Sequence, residues 1–472
     1  MILDDFAGDG IPCPVGVSKR LPACPSREFM KLNLYLLRSI VVGALGGLLF
    51  GFDTVVISGT THSLSLVYSL TAPQLGFTVA SALLGTVFGS LLAGIPGERL
   101  GGRESLRIMA VLYIVSALGS AFAWSWSSLI VFRFIGGLGI GGSSVIGPVY
   151  IAELAPARLR GRLVAIFQMN IVIGILVAYL SNYLIGRIDF GANEWRVELG
   201  IAALPAVLFF VTLLGIPRSP RWLVTRGAVE EARTVLTMIG EPEVERELKE
   251  IADSVHLGAS EKSEPLFLWK YRYPIFLAVS VAFFNQLAGI NAILYYSNYI
   301  FEQAGYTKLS ADLQSVAIGG MNLLATIFAM TLIDRIGRKT LLLIGSVGMT
   351  GALSGVAWVF HTRQHLQTLM LLLVIYIGFF AVSQGAVIWV FIAEVFPNKV
   401  RAKGQSLGSG THWVMNFLIQ LIFPVMIARW SRPAPFVLFA AMMVVQFFVV
   451  LAFYPETMGI TLEAMQHKLG VE

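Results

Sequence analysis

Charge is scarce in this chain. Only 13% of its 472 residues are Asp, Glu, Lys or Arg, and 56% are hydrophobic. A soluble globular protein carries nearer a quarter charged residues. The balance excludes an ordinary soluble fold and predicts a polytopic membrane protein. Cysteine is nearly absent. Cys13 and Cys24 stand alone in the N-terminal tail with no histidine near them, which is no metal motif. In a cytoplasmic tail they read as free thiols. Long basic tracts and basic–aromatic interleaving are missing, which excludes nucleic acid as a partner. No nucleophile–base set, metal-ligand cluster or nucleotide loop is present. The glycine-rich run from Gly136 to Gly142 lies inside an apolar segment and not after a strand. The chain therefore reads as no enzyme, with no cofactor and no metal. A signal peptide is also missing: Asp4, Asp5 and Asp9 precede a Gly/Pro/Cys stretch with no apolar core. Residues 1–34 read as a disordered N-terminal cytoplasmic tail, with Met30 as an alternative start.

Long apolar runs are what the chain has. Twelve can be drawn, with cores at 36–58, 75–97, 106–126, 128–151, 163–186, 197–216, 274–300, 313–333, 340–360, 367–393, 405–428 and 434–454. Each is long enough to span a bilayer, and only a helix bonds its own backbone there. The expected fold is an all-α membrane protein of twelve transmembrane helices in two six-helix halves. The halves cover 35–216 and 274–454, an intracellular helical linker covers 217–273, and a cytoplasmic C-terminal tail covers 455–472. With both termini inside, 27 of the 34 Lys and Arg residues fall on the cytoplasmic side. That bias sets the orientation. The linker is charged, with apolar residues at helical intervals (Val229, Ala232, Val235, Leu236; Val244, Leu248, Ile251), so short surface helices are predicted there.

The two halves echo each other. Glu98-Arg99-x-Gly101-Gly-Arg103 returns 236 residues later as Asp334-Arg335-x-Gly337-Arg338-Lys339. Glu153-x-x-Pro156 returns 241 later as Glu394-x-x-Pro397, and Pro217-Arg-Ser-Pro220 returns 238 later as Pro455-Glu-Thr. Three motifs at nearly one offset point to a duplicated six-span unit, the plan of many secondary transporters. One basic residue is left within the membrane: Arg133, followed by nineteen apolar or small residues before Glu153. A charge so placed is expensive and usually functional.

Taken together, the motifs resemble the sugar porter family of the major facilitator superfamily. The matching pieces are Gly46-Gly-Leu-Leu-Phe50-Gly-Phe-Asp53; Arg133-x-x-x-Gly137; Tyr150-Ile-Ala-Glu-Leu-Ala-Pro-Ala-Arg-Leu-Arg-Gly161; Ser219-Pro-Arg-Trp-Leu223; Asn285-Gln286-Leu-Ala-Gly-Ile-Asn291-Ala-Ile-Leu-Tyr295; Asp334-Arg-Ile-Gly-Arg-Lys; Gly385-Ala-Val-Ile-Trp389; and Pro455-Glu-Thr. The resemblance runs from about residue 35 to 465. It implies a monosaccharide substrate, protons as co-substrate, a lipid bilayer as surroundings and a monomer as the working unit.

The resemblance also implies site residues. Asp53 and Arg133 would couple protons, because an acid at this span 1 position goes with proton symport in the family. Gln168, Asn285, Gln286, Asn291, Asn322 and Trp389 would contact sugar, with Phe50, Tyr295, His412 and Trp413 around them. Amides both donate and accept toward hydroxyls, and indoles stack on a sugar's C–H face. An isolated amide in a span can equally bond a neighbouring helix. A cytoplasmic gate would comprise Glu98, Arg99, Arg103, Glu153, Arg160, Arg162, Asp334, Arg335, Arg338, Glu394 and Arg401. Pairs among them would join the halves when the outside is open.

Several positions depart from the family pattern. Asn285 replaces the first of two glutamines, Ile175 replaces a second span 5 glutamine, and His412 replaces an amide. Ala386 stands where proline is common, and Arg218 where glutamate is usual. Ala202 occupies the place of a second acid found in the bacterial xylose–proton type, with Glu198 one turn earlier. The expected function is a proton-coupled symporter importing a monosaccharide, a hexose such as glucose, across the plasma or bacterial inner membrane. A passive facilitator and a transporter-like sugar sensor are the alternatives.

Overall fold

The structure is a computed structural model that describes residues 33–156, 159–188, 190–260, 264–460 and 462–470. Nearly all of the N-terminal tail, with both cysteines, and the side chain of Asp334 lie outside the described residues. Among the described residues there is helix and no strand. Twelve helices are long and apolar enough to cross a membrane: spans 1 (Leu34–Val67), 2 (Ala72–Leu92), 3 (Gly102–Ala121), 4 (Trp126–Leu154), 5 (Arg160–Gly186), 6 (Gly191–Leu213), 7 (Trp269–Tyr295), 8 (Lys308–Ile333), 9 (Arg338–Thr362), 10 (Leu366–Val395), 11 (Arg401–Arg429) and 12 (Ala434–Phe453). The chain is a multi-pass membrane protein. Between spans 6 and 7 lie three short helices, Pro220–Thr225, Val229–Met238 and Val244–Ser260.

An even number of spans puts both ends of the chain, and the linker, on one side. That side is called the terminal side below, and the opposite one the far side. Across the halves, span 2 runs along span 11 and span 5 along span 8. The apolar core shows which side is closed. On the far side one continuous buried cluster draws residues from both halves, from Phe52 and Leu75 to Leu353 and Phe436. On the terminal side there are two separate clusters. One uses only the first half and the linker, and the other only residues from Leu266 onward. The two halves are thus sealed together on the far side and part on the terminal side.

Some helices run past their apolar cores. Span 1 is predicted over 36–58 but continues to Val67. Its added turns are polar, and their hydroxyls bond back into the helix: Thr60 Oγ1 to Ile57 O, Thr61 Oγ1 to Ser58 O and Ser65 Oγ to Thr61 O. Hydropathy underestimates a span whose polar end is buried against the other half. Span 7, predicted over 274–300, breaks at Gly289, where φ is +86° and only glycine sits without strain. It resumes at Ile290, and a separate helix Ser297–Gln303 follows. Span 10 holds a π-helical turn over Ala381–Gly385, just before Ala386. The helix is irregular there even without the proline.

Candidate functional site

Span 1 must lie close to span 5 for Asp53 to reach the interior. Gly51 and Gly174 permit that approach: a Cβ on Gly51 would sit 1.9 Å from Ile171 O, and one on Gly174 2.1 Å from Leu48 O. From span 4, Arg133 Nη1 donates to Asp53 Oδ1 at 3.0 Å. The arginine is 1% exposed and the aspartate 8%. Gly136, one turn on from Arg133, lets span 4 pack against span 3 beside the pair, since a Cβ there would stand 2.3 Å from Ser116 Oγ. The pair is only half satisfied. Asp53 Oδ2 and Arg133 Nε and Nη2 are buried without a hydrogen bond. From the second half, buried Tyr295 faces Thr54, with Asp53 and Arg133 next to it.

Around the break in span 7 the amides form a chain. Asn291 Nδ2 donates to Gln286 Oε1 at 2.9 Å, and Gln286 Nε2 donates to Asn285 Oδ1 at 3.0 Å. The same Gln286 nitrogen lies 3.1 Å and 3.2 Å from the two ring nitrogens of His412 in span 11. One imidazole nitrogen can accept there, which leaves the other for a different partner. Aromatic rings extend the cluster. His412 lies 5.0 Å from Trp389 and 5.1 Å from Trp413, centroid to centroid, and Trp413 lies 5.6 Å from Phe50. Phe50 stands one turn before Asp53, so span 1 carries both the acid and a wall of the aromatic cluster.

Gln168 is exposed partway along span 5. An amide there is favourable only where it meets water, which the open terminal side provides and lipid does not. Asn322 is buried in span 8. Three polar groups escape sequence reasoning. Gln384 donates to Gln446 at 2.5 Å beside the π-helical turn, and its backbone carbonyl accepts from Asn285 at 3.5 Å. Asn298 accepts from Ser58 at 3.0 Å, across the two halves. Asp312 lies one residue before the predicted start of span 8. The only sequence signal for Gln384 and Asn298 is a polar residue in a largely apolar segment, and Asp312 falls just outside the predicted span.

The terminal-side charges bond within their own half. Arg338 Nη2 lies 3.0 Å from Glu394 Oε1, and Thr457 Oγ1 donates to Glu394 Oε2 at 2.6 Å. Arg103 lies 2.7 Å from Glu104 and donates to Ile216 O at 3.1 Å. Glu98 and Arg99 offer backbone carbonyls to Arg226 at 3.1 and 2.8 Å. Arg160 donates to Ala152 O at 3.0 Å, and Arg401 to Phe396 O at 3.3 Å. Glu153 is half-buried beside Ser219 and Arg221. Arg162 and Arg335 are exposed. In the linker, Glu264 is held at about 2, below the usual carboxylate range, by Lys270, Tyr271 and Lys399.

The far side is cross-linked between the halves. Lys308 of span 8 lies 2.5 Å from Glu194 and 2.9 Å from Glu198 of span 6. His62 of span 1 lies 3.4 Å from Glu302, and Tyr179 of span 5 donates to Leu294 O at 2.6 Å. Glu198, the acid nearest the absent one at Ala202, is therefore engaged at the far-side seal.

A sequence profile described as "Sugar (and other) transporter" matches residues 39–469. The chain belongs to the sugar porter family of the major facilitator superfamily. This sugar porter is 35% identical over 471 residues to the D-xylose-proton symporter of Escherichia coli, covering 92% of this chain and 95% of that one. It is 35% identical over 444 residues to the glucose transporter GlcP of Staphylococcus epidermidis, covering 93% and 98%. It superposes on the inward-open conformation of the xylose transporter XylE from E. coli with a TM-score of 0.83 at 33% identity, covering 92% and 100%. Its relatives are transporters, not enzymes, and its twelve spans have the major facilitator arrangement.

Proposed function

We propose that this sugar porter is a proton-coupled symporter that imports a monosaccharide, a hexose such as glucose, by alternating access. The carrying observation is the half-satisfied Asp53–Arg133 pair lying against Tyr295. A proton taken by the unbonded Asp53 Oδ2 removes the charge that holds Arg133, and the freed guanidinium must find other partners. A shift of span 4 would follow, and span 1 carries Phe50, which touches the aromatic cluster. Ligand and proton then act on the same two helices. Sugar hydroxyls would exchange bonds with Gln286, Asn291, Asn285, Gln168 and Asn322. Trp389, Trp413 and Phe50 would cover the ring, and the second nitrogen of His412 would serve one more hydroxyl. The basic-residue bias supports a cytoplasmic terminal side, which makes this form inward-facing. In the outward-facing form Glu153 and Glu394 would trade in-half partners for arginines across the gap, and Glu98 and Asp334 would join them. We take the unit to be a monomer in the cell membrane.

Proteoliposomes with an inward proton gradient test the coupling. The wild type accumulates labelled glucose above its outside concentration. Asp53→Asn exchanges glucose but only equilibrates it. Accumulation that survives Asp53→Asn rejects the coupling role. Ala202, in place of a second acid, favours the passive reading, which predicts equilibration in the wild type and no effect of a protonophore.

A further inference from the structure

Building on the reading of a proton-coupled porter, we infer that the far-side seal is a second proton-binding site, formed by Glu198 and Asp312. The geometry sets more carboxylates together than it neutralises. Lys308 Nζ bonds both Glu194 Oε1 and Glu198 Oε1, so one ammonium serves two acids. Asp312, one turn along the same helix, accepts from Asn298 Nδ2, and Asn298 is in turn held by Ser58 and Ser315. Glu198 is 0% exposed and Asp312 1%. Each has a second carboxylate oxygen, Glu198 Oε2 and Asp312 Oδ2, that is buried without any hydrogen bond. Span 5 shows how closely the acids converge. A Cβ on Gly186 would lie 3.1 Å from Asp312 Oδ2 and 3.3 Å from Glu194 Oε1.

The neighbouring charges do not close the balance. Glu302 also faces Asp312 and Lys308, with its carboxylate 3.4 Å from His62. His62 is itself more than half exposed. Arg196 is engaged by the carbonyls of Ala121 and Ala123, and Arg187 packs over Tyr183. Glu302 also lines a cavity with Arg363 and Arg432, so the acids left to the single ammonium of Lys308 are Glu194, Glu198 and Asp312. An unpaired buried carboxylate is expensive, and the least expensive remedy is a proton on the unbonded oxygen. The acids come from different halves. Opening the far side draws Glu194 and Glu198 of span 6 away from Lys308 and Asp312 of span 8 and returns them to water, where the proton leaves. The sealed form therefore holds one proton more than the open form, and acid on the far side favours closure.

A distance measurement reads this without transport. Cys13 and Cys24 are replaced by serine, spin labels are placed at Ala192→Cys and Gln364→Cys, and far-side opening is followed in lipid nanodiscs from about pH 8 to about pH 5, where buried carboxylates titrate. The wild type shifts toward the short distance as pH falls, by up to about tenfold in population ratio per pH unit for one proton. Asp53→Asn keeps that response. Glu198→Gln and Asp312→Asn, each a neutral isostere, flatten it toward the closed distance. Lys308→Met, which removes the shared ammonium, moves the response to higher pH and serves if an isostere does not fold. A response untouched by both isosteres, or one abolished by Asp53→Asn alone, overturns the second site. Failure of the coupling reading shows separately, as glucose accumulation by Asp53→Asn.

Discussion

Each half of the molecule buries a guanidinium against a carboxylate, and the two pairs are built differently. In the second half Arg338 meets Glu394 at the end of span 9, and both Glu394 oxygens are bonded, one by Arg338 and one by Thr457. Arg338 also donates to Ile333 O at 3.2 Å. In the first half Arg133 meets Asp53 between spans 4 and 1, and one oxygen of Asp53 is left without a bond. A pair with every carboxylate oxygen engaged has nowhere to put a proton without breaking a bond. A pair with a vacant oxygen can take one at little local cost. The same chemistry is therefore saturated in one half and left open to a proton in the other, as the proposed coupling role requires.

The largest effect expected from breaking this comparison comes from Arg133→Leu. It leaves Asp53 charged and alone in the interior, and removing one partner of a buried pair costs about 3–5 kcal/mol. Thermal unfolding in detergent should show that loss. The double variant Asp53→Asn with Arg133→Leu should recover most of it, because no charge remains to be compensated. A double variant as unstable as the single one would mean that Arg133 contributes by packing and not by charge.

Much of this arrangement is written in the motifs. The apolar runs, the basic bias and the three repeats at nearly one offset lead to twelve helices in two sets. Asp53, Arg133, Gln286 and Asn291 stand in quoted motifs, and the structure brings them into two adjoining clusters. What periodicity does not carry is which helix faces meet across the halves. Asp312 reads as a loop acid because the apolar core of span 8 starts one residue later. Glu198 reads only as an acid one turn before Ala202, and the fold shows Lys308 against it. The break at Gly289 is visible as a glycine, but its left-handed conformation belongs to the tertiary structure.

The terminal ends sharpen the comparison. In the second half Glu456 accepts the backbone N–H groups of Arg338 and Lys339 at 2.9 and 3.0 Å, and those of Thr457 and Met458 at 3.0 Å each. It caps span 9 at the positive end of the helix dipole. Burial raises Glu456, but those four donors outweigh it and hold it below the ordinary carboxylate value. A group so lowered adds stability above its unfolded titration range, and the gain is lost as pH falls through its folded value. Glu456→Gln should cost about 1–2 kcal/mol near neutral pH. The difference from wild type should shrink in acid, which thermal melts at several pH values would follow. A difference that does not change with pH would mean that the charge of Glu456 is not what stabilises this end of span 9.

The equivalent place in the first half is built from other parts. Gly337 has its Cβ direction 2.5 Å from Glu456 Oε2, whereas Gly101 has it 2.8 Å from the indole of Trp222. Arg218 stands where the carboxylate would be, 5.5 Å from that indole and 3.9 Å from Glu231. A cation at a helix N-terminus opposes the dipole. Span 3 compensates from within, because Glu104 lies in its first turn, 2.7 Å from Arg103 and 2.8 Å from Arg107. The acid has moved from the loop into the helix. Arg218→Glu would add a carboxylate near a helix end already served by Glu104, and would remove a cation from the face of Trp222. The two effects are each about 0.5–1 kcal/mol and opposed. The single variant should therefore shift the melting temperature little in either direction. In a Glu104→Gln background the same substitution should stabilise measurably, because it restores a carboxylate to the end of span 3 that has lost its own. No rescue in that background would mean that the indole plug, and not the charge, holds this corner of the first half.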